Sequence, residues 1–159
     1  MNIVVIFDSQ FGNTAQVARA IGEAFDGLGE VTVERASEVK PGWLDDLGLL
    51  VVGAPTQKFR PTAPVNEFLK KLPAQVVRGV PVAAFDTRLD VKEVDNKVLT
   101  GFVKVFGYAA KPIADKLVKK GGKLLVPPEG FVVLDTEGPL RDGELKRAGE
   151  WAKGIREKL

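Results

Sequence analysis

Residues 2–14 read NIVVIFDSQFGNT, and the organisation of the whole chain follows from this stretch. Asn2–Phe7 is a short, mostly β-branched apolar run that stops at Asp8. Beyond the polar residues and Gly12, apolar side chains recur at helical spacing: Val17, Ile21, Ala24/Phe25 and Leu28. The pattern predicts a buried strand, a tight loop and a helix over residues 14–28. A strand with no polar alternation is covered on both faces, as in a parallel sheet. The loop between them, Asp8-Ser9-Gln10-Phe11-Gly12-Asn13-Thr14, sets hydroxyl and amide side chains around a glycine where a helix begins. Gly12 permits the tight turn, and the free N–H groups of the first helical turn face whatever docks there. A phosphate suits that position through the N–H groups and the helix dipole. The alternative is that Asn13 or Thr14 only caps the helix. No Gly-Lys-Ser/Thr follows, so the loop is not of the Walker A type, and it is not G-x-G-x-x-G.

Working outward, Val31 and Val33 alternate with polar neighbours, as in a partly exposed strand. Residues 48–53 and 80–85 are further apolar strands. Between them Val65, Phe68, Leu69 and Leu72 make a helical stripe. Ala109/Ala110, Ile113 and Leu117 mark another helix, ending at Gly121-Gly122. Residues 123–126 and 131–134 form a last strand broken by Pro127–Gly130, and Leu145, Ala148, Ala152, Ile155 and Leu159 a closing helix. Strands alternating with helix-length crossovers predict an α/β fold, a doubly wound five-stranded parallel sheet of order 2-1-3-4-5 with helices on both faces. Right-handed crossovers place ligands at the carboxyl ends of the strands, near the switch point between strands 1 and 3. One domain over residues 1–159 is expected. Asp86–Val105 shows only weak periodicity, and a loop that long in a compact domain is functional or partly helical.

The chain has 159 residues, 45% apolar and 28% charged, with neither Cys nor His. Disulfides, thiol nucleophiles and His-based triads are thereby excluded, and metal catalysis is disfavoured. The net charge of +2 conceals an asymmetry. Residues 1–57 carry 3 basic and 8 acidic side chains, residues 58–120 carry 13 and 6, and residues 121–159 carry 7 of each. The middle segment is either a solvated helix surface or a basic rim that attracts an anionic partner. No basic, apolar leader and no membrane-length run is visible, so a soluble cytoplasmic protein is expected, with no membrane insertion and no nucleic-acid partner.

Ser9-x-x-Gly12-Asn13-Thr14 after the first strand resembles the phosphate loop of the flavodoxin family, whose usual form is Thr/Ser-x-Thr-Gly-Asn-Thr. Gly53-Ala54-Pro55-Thr56 resembles the start of that family's second flavin loop, and Ala84-Phe85-Asp86-Thr87-Arg88 stands where the third belongs. The resemblance spans the chain in length, element order and loop placement, and is to the short-chain form. It implies a flavodoxin-like fold that binds FMN, with the phosphate in the first loop and the isoalloxazine between the other two.

Residue by residue, Ser9, Asn13 and Thr14 match phosphate-binding side chains and Gly12 the turn, with backbone N–H groups from Gln10 to Thr14 adding donors. Phe11 replaces the usual Thr, removing one hydroxyl. Pro55, Thr56, Gln57, Lys58 and Phe59 fall in the second loop. Gln57 stands where a Trp is usual and Lys58 where a Gly is. Phe59 is the nearest aromatic, either a ring contact or a loop anchor. Asp86, Thr87 and Arg88 replace the acidic, Gly-rich third loop. Phe102 falls where its Tyr belongs, with Phe106 and Tyr108 as alternates. The resemblance implies an electron-transfer flavoprotein cycling one or two electrons between redox partners, here with acidic docking faces, as a monomer or weak dimer. An FMN-dependent NAD(P)H:quinone-type reductase and a flavin-free interaction or signalling module are the alternatives.

Overall fold

The computed structural model describes residues 1–57, 60–89 and 108–159. In chain order the elements are β1 (Asn2–Phe7), α1 (Asn13–Glu23), β2 (Glu30–Arg35), β3 (Leu47–Pro55), α2 (Ala63–Lys71), the one-turn α3 (Ala74–Val77), β4 (Pro81–Leu89), α4 (Ala110–Lys119), β5 (Lys123–Leu124), β6 (Glu129–Val133) and α5 (Glu144–Arg156). Two 3₁₀ turns, Ala36–Glu38 and Pro41–Leu44, carry the chain from β2 to β3.

The sheet runs β2-β1-β3-β4, and β5 and β6 both lie beside β4. Every strand pair is parallel. β5 meets Pro81–Val82 and β6 meets Phe85–Leu89, so the fifth position of the expected 2-1-3-4-5 order is filled by two short strands in series. Pro127 and Pro128 lie between them, where ladder donors are missing.

Alternation along β1 sorts its side chains. Ile3, Val5 and Phe7 pack with α1 and α5, while Val4 and Ile6 pack with α2, α3 and α4. Each such side chain contributes about 1.5–3 kcal/mol on burial, so two continuous cores hold the layers together. Under α5, Phe85, Phe131 and Trp151 meet edge to face with ring centroids 6.0–6.3 Å apart.

Several boundaries differ from the sequence pattern: β3 runs on to Pro55, β5 stops at Leu124 and β6 begins at Glu129. α1 ends at Glu23; Phe25 is buried and Leu28 half-buried, packing from the turn that follows. The last strand reaches only Val133, leaving Leu134 exposed. β4 continues to Leu89 where the apolar run suggested a stop at Phe85. Pairing with β3 as far as Thr87 and with β6 as far as Leu89 supplies the ladder for these extra residues, so Asp86, Thr87 and Arg88 belong to a strand and not to a loop. Among the described residues no helix is long and apolar enough to cross a membrane. All strands being parallel, the carboxyl ends of β1, β3 and β4 open at one edge, and the polar segments gather there.

Candidate functional site

The loop after β1 is built around Ser9. Its buried hydroxyl oxygen accepts the N–H of Gly12 at 3.1 Å and of Ala15 at 3.2 Å. Ser9 therefore caps α1 from three residues before the N-cap, a service usually given by the N-cap side chain. Gly12 occupies the N-cap position with φ +92°, a left-handed conformation that costs an L side chain about 1–2 kcal/mol. The N–H groups of Gln10, Phe11, Asn13 and Thr14 meet no acceptor among the described residues. No acidic side chain stands in the first turn of α1. Open donors, the positive end of a helix dipole and a first turn free of carboxylates make an anion cradle. Phe11, 47% exposed, stands beside it.

The cradle's side chains reach out to neighbouring segments. The Thr14 and Thr87 hydroxyls are 2.8 Å apart, both buried, joining the loop to β4. One hydroxyl proton serves that bond and the other stays available. The Asn13 side-chain amide donates to the Glu137 carbonyl at 3.1 Å, fastening the turn after β6 over the start of α1. The Gln10 and Gln57 side chains are hydrogen-bonded, linking the first loop to the second. Arg35 donates to the Ser9 carbonyl at 2.9 Å and lies 3.7 Å from Asp8.

The second loop leaves β3 at Pro55. The Thr56 N–H donates to the Thr87 carbonyl, and the Thr56 hydroxyl accepts from the Ala109 N–H at 3.1 Å. Gln57 and Arg60 exchange two backbone bonds of 2.8 and 2.9 Å. Thr62 then begins α2 with a buried hydroxyl that has no partner, the one such side-chain atom among the described residues.

At the third position the polar groups face one another. Arg88 forks onto Asp86, with Nε to Oδ1 and Nη2 to Oδ2 both 2.6 Å, and the Ala110 N–H adds a 2.9 Å bond to Oδ2. The guanidinium carbon lies 3.7 Å from the Tyr108 ring centroid. On β6, a Cβ at Gly130 would overlap the Arg88 guanidinium, so a side chain there would have to displace it from the clasp. Burial pushes the Asp86 carboxyl up from its ordinary value, while the Arg88 fork and the Ala110 N–H pull it down. A cation held in this way is largely neutralised.

The structure thus brings Ser9, Gln10, Phe11, Gly12, Asn13, Thr14, Pro55, Thr56, Gln57 and Thr87 to one end of the sheet, with Asp86 and Arg88 beside them. Lys58, Phe59, Phe102 and Phe106 lie outside the described residues. Arg35 and Glu137 were not foreseen as parts of this end; Tyr108, an alternate for the third-loop aromatic, stacks on Arg88. An Asp and an Arg two apart on one strand share a face, and that spacing was the legible signal for the clasp. Nothing in the local sequence marks Glu137 as the partner of Asn13.

No family model matches the sequence, and no curated protein matches it. Solved structures do match over the full length. A flavodoxin from the domain Archaea superposes with a TM-score of 0.79 at 23% identity, covering 99% of this chain and 98% of that one. Oxidised flavodoxin 1 from Bacillus cereus gives 0.77 at 16% identity, covering 100% and 99%. The rubredoxin oxygen:oxidoreductase of Desulfovibrio gigas gives 0.65 at 18% identity, with 99% of this chain matching 35% of that larger one. The chain has the flavodoxin-like fold.

Proposed function

We propose that this chain is an electron carrier that holds FMN non-covalently and exchanges electrons with partner proteins. The observation that carries the reading is the cradle after β1, where four backbone donors, a left-handed glycine and a helix N-terminus converge at the switch point of the sheet. The residues present fit the group. Gln10, Phe11, Asn13 and Thr14 would offer N–H groups to the phosphate, and the Thr14–Thr87 pair its spare hydroxyl proton. The segment after Pro55 and the end of β4 would flank the ring. Bound FMN would supply one- and two-electron chemistry, and the chain binding, orientation and charge. The Asp86–Arg88 clasp shapes the third segment without presenting a free cation.

The fold neighbours that carry the name flavodoxin support the same reading by analogy of architecture. The acidic docking face of the partner, a cytoplasmic setting and a monomeric or weakly dimeric state belong to the proposal as well. The test is the absorbance spectrum of the purified protein, followed by titration of any apo fraction with FMN and with riboflavin. Saturable FMN binding much tighter than riboflavin binding is expected, and equal affinities would remove the phosphate assignment. Direct turnover of NAD(P)H with a quinone, without a separate reductase, would make it an enzyme in its own right.

A further inference from the structure

The α2–α4 face of the sheet carries an unbalanced charge. α2, α4 and the residue after α4 present six lysines against two carboxylates, Glu67 and Asp115. Both carboxylates are already engaged, Glu67 with Lys71 at 3.2 Å and Asp115 with Lys111 at 2.9 Å. The other four lysines, Lys70, Lys116, Lys119 and Lys120, line a groove of about 730 Å³ between the two helices, with Leu69 and alanines contributing apolar lining. Glu67 reaches the same groove but is the one bonded to Lys71. None of the four meets a carboxylate among the described residues. The Lys116 ammonium donates to the Asn66 side-chain oxygen at 2.9 Å, and Lys120 to the carbonyls of Lys70 and Leu72. Neutral acceptors orient these two ammoniums without cancelling their charge.

The groove begins at Ala63, directly after the segment that leaves the second loop, and runs along α2 to the far end of α4. The four lysines sit towards the carboxyl ends of α2 and α4, about 10 Å along α2 from Ala63, and a partner protein of ordinary interface size anchored on them is wide enough to reach the loop end as well. We infer that this groove is the docking seat for an acidic segment of the protein that exchanges electrons with this chain. Four uncompensated ammoniums complement carboxylates, and the apolar lining accepts the aliphatic part of the same segment. A phosphate polyanion fits less well. No arginine fork lines the groove, and the helix ends at its far side present carbonyls. The identity of the occupant rests on the electron-carrier reading; the location and charge of the seat do not.

The test uses the isotope-labelled protein as purified and a synthetic peptide of four Glu-Leu repeats, followed by NMR. Amide shifts are expected over residues 63–74 and 116–120, fading at about 0.5 M salt, where the Debye length falls to a few ångströms. The Lys70→Gln/Lys119→Gln double variant should weaken the peptide about fivefold or more. The Lys146→Gln/Lys153→Gln control takes the same charge from α5, on the opposite face of the sheet, and should change it less than about twofold. Equal weakening in both variants, shifts centred on Arg60 or Gln10–Thr14, or no saturable binding would each overturn the seat. Tighter binding of inorganic tripolyphosphate than of the peptide would overturn the acidic-protein occupant. FMN titration of the same samples separates the two failures. Intact FMN binding without groove shifts defeats this inference alone, and groove shifts without FMN binding defeat the electron-carrier reading.

Discussion

In the loop from Ser9 to Thr14, four backbone donors point away from any described acceptor, whereas at the end of β4 each oxygen of Asp86 is taken by Arg88, and Oδ2 also by Ala110. The two segments lie at the same edge of one sheet and look alike as sequence: short, polar and directly after an apolar run. The first leaves its polar groups open, and the second closes them on each other. An open set is stabilised by a ligand, while a closed set stabilises the protein. Glu144 belongs to the closed class. It is buried at the start of α5, accepts from the Val132 N–H at 2.7 Å and is bridged by Arg147 and Arg141. Burial alone would raise its carboxyl, but the bonds from Arg147, Val132 and Arg141 outweigh burial and lower it to about 2.

The largest effect should come from breaking the clasp. Arg88→Met leaves the Asp86 carboxyl buried without its partner, at an expected cost of about 3–5 kcal/mol in urea unfolding. Asp86→Asn/Arg88→Met should recover much of it. A stable Arg88→Met variant that had lost FMN instead would move Arg88 into the open class.

Glu144 tests the same class through pH. Its folded value lies below its ordinary one, so its stabilisation is complete above about pH 4.5 and is lost as pH falls towards 2. The expected loss is about 3 kcal/mol, and Glu144→Gln should flatten the acid limb of the stability curve by that amount. Asp86, shifted upward, works with the opposite sign: its contribution is greatest at low pH and declines as pH rises through its folded value. An acid limb unchanged in Glu144→Gln would show that the cluster is not closed in solution.

The open class is sharpened by ligand preference. Filling the donors after β1 with a phosphate should make FMN bind about 1.5–3 kcal/mol more tightly than riboflavin, roughly ten- to a hundredfold. Gly12→Ala, strained at φ +92°, should reduce that margin while leaving riboflavin binding nearly unchanged. Equal losses for both ligands would mean the loop only shapes the fold. The smallest effect belongs to the contact between the two segments. Thr87→Val removes one of the paired hydroxyls and should cost about 1 kcal/mol, as a single hydrogen bond does. That loss should appear in FMN binding as well as in stability if the pair lends its spare proton to the phosphate.

The sequence by itself determined the layers, the parallel order and the place of the cradle, because these rest on local quantities. Apolar runs, helical spacing and a glycine before a helix are properties of neighbours in the chain. Tertiary structure decided where β4 ends, since polar residues after Phe85 become strand by pairing with β3 as far as Thr87 and with β6 as far as Leu89. It decided that Asn13 fastens a turn 124 residues away, a partnership no local pattern encodes. It also decided which charges are free. Arg88 reads in the chain as one more basic residue of the middle segment, yet it is spent on Asp86. Lys70 and Lys119 read the same and have no carboxylate within reach among the described residues. Charge is written in the sequence, but its neutralisation depends on distance, and distance between remote residues exists only once the chain has folded.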